Sequence, residues 1–202
     1  MKNIMELASL ALCASLASGC SGILNSDQPA KQYYLLKPLE TAPRASADTE
    51  RPILRVSVSA VPGLDTDRIL ALGPHARLHR YANASWPDHL PEVLTSVMTR
   101  SLAASGRFSV HERFESGSDD AWDLAIEARQ FYGLRGTAED TSAVQVELAG
   151  QIECGGSLHE VGGAEAVPVG VERLADIVAA HQAGLDRVTR DIIAQIERHC
   201  AD

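Results

Sequence analysis

The clearest alternation of apolar and polar positions runs through AVQVELAGQIEC, residues 143–154. Val144, Val146, Leu148, Ile152 and Cys154 fall on one side, and Gln145, Glu147, Gln151 and Glu153 on the other. A period of two is that of a strand with one face against a core, so this register puts Cys154 on the core face. ILRVSVSA (53–60) repeats the pattern, with Leu54, Val56 and Val58 opposite Arg55, Ser57 and Ser59. WDLAIEA (122–128) sets Trp122, Leu124, Ile126 and Ala128 on one face. RILAL and ARLHRY flank Gly73-Pro74 and predict a hairpin. Pro74 belongs in its turn, because proline has no amide proton to give a ladder. YYLL (33–36) and FSVHE (108–112) predict two shorter strands.

Elsewhere the period lengthens. From Trp86 to Ser105, Leu90, Val93, Leu94, Val97, Met98 and Leu102 share one helical face. Ser85 or Asp88 would cap its start, Pro91 would sit in its first turn, and Gly106 fits the left-handed position after its end. A longer helix is predicted from about Val171 to Arg198. Its stripe holds Leu174, Ile177, Val178, His181, Leu185, Val188, Ile192 and Ile196, with His181 half-buried and Cys200 just past the end. Glycine and small residues fill 155–168, and PLETAPRASADTERP (38–52) and ESGSDDA (115–121) read as loops. Strands, helix, strands, helix is the order of an α+β domain. The expectation is a mostly antiparallel sheet with two main helices packed on one face, a single domain over 33–202.

The start of the chain has a different character. Lys2 precedes an apolar run from Leu7 to Ala17, which is too short to span a bilayer but long enough for a signal-peptide core. Ala17, Ser18 and Gly19 are the small residues a peptidase needs, and Cys20 follows at once. This resembles the bacterial lipobox, in which that cysteine is acylated and becomes the new N-terminus. Residues 1–19 are then a lipoprotein signal peptide, and 20–32 the lipidated N-terminus and a flexible tether. The other reading is a plain secretory signal with an incidental cysteine.

Charge narrows the partners. The formal charge is −9, and lysine occurs only at Lys2, Lys31 and Lys37. With no basic cluster in the sequence, nucleic acid is not an expected partner. If Cys20 carries lipid, Cys154 and Cys200 remain as a disulfide candidate in an oxidising compartment; two separate thiols are the alternative. The seven histidines (His75, His79, His89, His111, His159, His181 and His199) form no metal-binding motif. No nucleophile elbow or P-loop is present, and Asp119-Asp120 reads as a solvated turn. The reading is of a non-enzyme without metal or cofactor beyond the covalent lipid on Cys20.

The order of these features resembles the PqiC-like ABC-type transport auxiliary lipoproteins. The landmarks are the lipobox, YYLL, ILRVSVSAVPG, DRILAL, then LHRYANASWPDHLPEVLTSVMTRSLAASGRF and the terminal LADIVAAHQAGLDRVTRDIIAQI. Residues 82–85 look inserted, and the stretch between Cys154 and Val171 looks short where the family often has a further polar strand. The resemblance implies an accessory lipoprotein of an ABC transporter, acting beside its ATPase, its permease and a periplasmic MCE-domain protein in lipid transport. Palmitate-type acylation of Cys20 would anchor it, and Ser21 next to the lipid suggests the outer membrane, facing the periplasm. Tyr81, Trp86 and Leu90 are the partner-binding candidates, unless Trp86 packs under the helix start. A homo-oligomer is open. Rival readings are a lipid-binding carrier lipoprotein and a scaffold lipoprotein of another envelope machine.

Overall fold

The computed structural model describes residues 30–40, 51–112, 121–136, 140–171 and 173–200. Cys20, the signal segment, most of the tether and Asp119-Asp120 lie outside them. Lys31–Asp202 forms one compact unit.

Among the described residues eight strands make one sheet. They are β1 (Gln32–Tyr33), β2 (Ile53–Ala60), β3 (Arg68–Gly73), β4 (Arg77–Ser85), β5 (Ser109–Glu112), β6 (Trp122–Arg135), β7 (Thr141–Cys154) and β8 (Ser157–Pro168). β6 is the spine. Along one side it pairs antiparallel with β7 over almost its whole length, and β7 pairs antiparallel with β8. Its other side is shared, with β2 running parallel to the first half and β3 meeting the second at Ala71 and Leu72. β5 flanks β2, and β4 then β1 continue from β3. The long pairings are antiparallel and the parallel ones short. Helix α1 (Leu90–Ala104) packs on β2 and β5, and α2 (Leu174–Cys200) on β6, β7 and β8, so both cover the same face.

The apolar patterns set this arrangement. Every residue of the predicted α1 stripe is buried, as are Leu54 and Val56 of β2, Leu124 and Ile126 of β6, and Val144, Val146, Leu148 and Ile152 of β7. α2 can lie close to the sheet because Gly184 faces it. A Cβ there would come within 2.8 Å of the Val146 side chain.

Five expectations need correction. β8 occupies the stretch where no element was predicted. It buries only Val161 and Val167, and glycine sits where the strands crowd: a Cβ on Gly162 would lie 2.5 Å from the Leu148 carbonyl oxygen. The supposed missing strand is therefore present. β6 runs on to Arg135, seven residues past the predicted end at Ala128. A register shift between Ala128 and Gln130 moves the buried position from Ala128 to Phe131, which breaks the two-residue period on paper but not in the sheet. α1 begins at Leu90 rather than Trp86. His89 holds the cap position with no side-chain bond to the helix backbone, while Asp88 accepts from the His89 amide. α2 runs from Leu174 through Cys200 itself. YYLL pairs only at its start, because Leu36 and Leu39 turn inward to the core. Beyond α1, Gly106 has the left-handed φ of 70° expected of it. The extra residues before Trp86 form an irregularity in the β3–β4 pairing, with Asn83 at φ 55°.

Candidate functional site

The segment from Lys31 to Leu39 is where the chain coming from Cys20 joins the domain, and it is tied down residue by residue. Lys31 donates to Asp67 Oδ2 at 2.7 Å. That bond holds the Asp67 carboxyl below the ordinary range and raises Lys31. Gln32 and Tyr33 pair with Ala84 and Ser85 of β4, and the Tyr34 amide donates to the Ser85 carbonyl at 2.9 Å. The strap then crosses both helices. The Lys37 amide donates to Gln182 Oε1 at 2.7 Å, and Gln182 Nε2 returns a bond to the Lys37 carbonyl at 3.0 Å. The Leu39 amide donates to the buried Ser101 hydroxyl of α1 at 2.9 Å. Leu36 and Leu39 fill the core between these bonds.

The predicted docking residues are placed differently. Trp86 is 1% exposed and Leu90 2%. Trp86 meets Phe131 and His181 edge-on, with ring centroids 5.9 and 5.5 Å away. It is a core residue under the helix start and has no surface to offer a partner; nor has Leu90. Tyr81 is half-buried, hydrogen-bonded to Thr141 with the Arg135 guanidinium over its ring. Of the large apolar side chains that do reach solvent among the described residues, two lie in this segment: Tyr33, 59% exposed, and Leu35, 67% exposed. Leu35 borders a cleft of about 310 Å³ against the outer side of α1, lined also by Pro87, Glu92, Ser96 and Arg100. Sequence reasoning passed over Leu35 because YYLL reads as no more than a short strand.

The opposite end of α2 is held covalently. Cys154 and Cys200 form a disulfide, with Cα atoms 5.8 Å apart. The His159 and His199 rings stack beside it, centroids 4.9 Å apart. Among the described residues no three His, Cys, Asp or Glu side chains gather as metal ligands. His181 is wholly buried rather than half-buried. Its Nδ1–H donates to the Ile177 carbonyl at 2.9 Å, while Nε2 has no partner. Burial pushes its pKa down to about 4. No described helix is long and apolar enough to cross a membrane.

The family model of the ABC-type transport auxiliary lipoprotein component matches residues 33–193. No curated protein matches the chain. Among solved structures, an uncharacterised protein is 15% identical with a TM-score of 0.65, covering 83% of this chain and 99% of its own. A Xanthomonas campestris protein is 21% identical with a TM-score of 0.62, covering 83% and 93%. At these identities the likeness is one of fold.

Proposed function

Since the chain belongs to the family of ABC-type transport auxiliary lipoprotein components, we propose that it is a non-catalytic tether, lipid-anchored at Cys20 in the outer membrane and docking the periplasmic MCE component of its transporter. The observation that carries this reading is the strap. A pull on the lipid reaches the domain through Lys31–Leu39, and that segment is bonded to β4, α1 and α2 at once. From Cys20 to Lys31 the chain spans at most about 40 Å, which sets the reach of the domain from the membrane. Tyr33 and Leu35 project from the strap itself and would meet the partner first.

The carrier reading has less support. The space between sheet and helices is filled by Trp86, Phe131, Leu94, Met98, Leu148 and Ile152, each almost without exposure. An acyl chain there would have to displace side chains already close-packed.

Crosslinking in cells followed by purification tests the tether. The wild type should bring down an MCE-domain protein with its permease and ATPase. Cys20→Ala should leave the membrane fraction, and Leu35→Asp should stay membrane-bound but capture several-fold less of the MCE protein. Recovery of only outer-membrane proteins or phospholipid would sink the proposal.

A further inference from the structure

The β3–β4 hairpin, the loop after β2 and the far end of β6 surround a surface cleft of about 650 Å³. Arg68, Arg80 and Arg135 line it, one from each of three strands, together with His79. Such a gathering stands out in a chain of formal charge −9. The carboxylate in the lining, Asp65, is engaged by His89 Nδ1 at 2.9 Å. Asp67, 3.2 Å from Arg68 Nε, is shared with Lys31. The Arg80 side chain makes no hydrogen bond or ion pair among the described residues, its backbone alone pairing with Leu70. Arg135 is steadied by its stack on Tyr81, 5.6 Å from the ring centroid, and Tyr81 by Thr141. Leu70 and the 47%-exposed Leu78 supply an apolar wall beside these cations.

We propose that this cleft binds a phosphate group, either as the headgroup of a small anionic amphiphile or as the free ion. The planar guanidinium fork matches phosphate oxygens two at a time, and Arg68, Arg80 and Arg135 line the one cleft. The volume falls within the range of small-ligand sites, about 300–1,000 Å³. A headgroup with a hydrocarbon arm would use both the arginines and the leucine wall; inorganic phosphate would use the arginines alone. An acidic peptide is the poorer fit, because it calls for cations spread along a track.

The test uses the full-length protein in neutral detergent and isothermal titration calorimetry. The probes are dihexanoyl phosphatidylglycerol below its micelle concentration, inorganic phosphate, and a poly-glutamate peptide. The lipid should bind, and Arg80→Gln should weaken it roughly tenfold or more, the loss of one charge-assisted contact. Arg198→Gln, distant on α2, should bind as the wild type does. Equal binding of inorganic phosphate would support the site with the free ion as its ligand. No binding by either probe, or no effect of Arg80→Gln, overturns the proposal. So does Arg80-dependent binding of the peptide alone, which would make the cleft an acidic-protein contact. The tether plays no part in this measurement, so each reading can fail without the other.

Discussion

The two ends of α2 are seated by different physics. Near its start, His181 lies in the core between Trp86 and Phe131, with only burial and the Ile177 carbonyl acting on its proton. At its end, Cys200 is bonded to the hairpin of β7 and β8 beside two stacked imidazoles. The first seat costs free energy when a proton arrives, because a buried imidazolium has no solvent and no carboxylate to answer it. The second is indifferent to protons at the bond itself and yields to reductant. One helix is therefore secured against two different challenges, and each seat can be loosened without touching the other.

The largest effect should come from the covalent seat. The disulfide closes a loop with a sequence separation of 46, worth about 4 kcal/mol if its gain is chain entropy. Urea unfolding of the Cys154→Ser, Cys200→Ser double variant should show a loss of that order, and added reductant should bring the wild type to the same midpoint. A wild type unmoved by reductant would mean that the second seat carries no load.

The buried histidine comes next. Its pKa lies near 4 folded and 6.5 unfolded, so between those values the unfolded chain binds the extra proton. Stability is full above pH 6.5 and falls progressively to pH 4, by roughly 3 kcal/mol. Asp67, with its lowered pKa, loses its contribution only at more acid pH, and His89, raised by Asp65, works in the opposite sense. Subtracting a His181→Phe titration from that of the wild type isolates the effect. A pH profile as steep in the variant would show that the slope originates elsewhere.

The smallest effect on stability belongs to the strap. Ser101→Ala leaves the Leu39 amide buried without its acceptor and should cost about 1–2 kcal/mol. Hydrogen exchange should show the loss concentrated at Lys31–Leu39, with both seats of α2 unchanged. Faster exchange throughout α2 would merge the strap with the first seat.

What the sequence disclosed of this fold depended on local periodicity. β2, the first half of β6, β7 and both helices carry their own pattern, and Cys154 could be assigned to the core face from alternation alone. β8 could not be read, because Gly162 serves close approach and only Val161 and Val167 are buried, too few to make a pattern. The second half of β6 was hidden by one residue of register shift at Arg129. The strap was hidden because Leu36 and Leu39 are buried by helices more than fifty residues away in sequence. Trp86 carried both meanings on paper, and only its edge-on contacts with Phe131 and His181 decide for the core. The arginine cleft has no local signature at all: Arg68, Arg80 and Arg135 are gathered by strand pairing.

Gln195 donates to the Gly162 carbonyl at 2.6 Å and accepts from its amide at 3.0 Å, as Gln182 does for Lys37. A primary amide offers one donor and one acceptor, as a peptide group does, so Gln195 stands in for one residue of an absent neighbouring strand. β8 is an outer strand, and its backbone at Gly162 is answered from within the chain. An open strand edge is a template for aggregation. A single glutamine interrupts that template midway along its length.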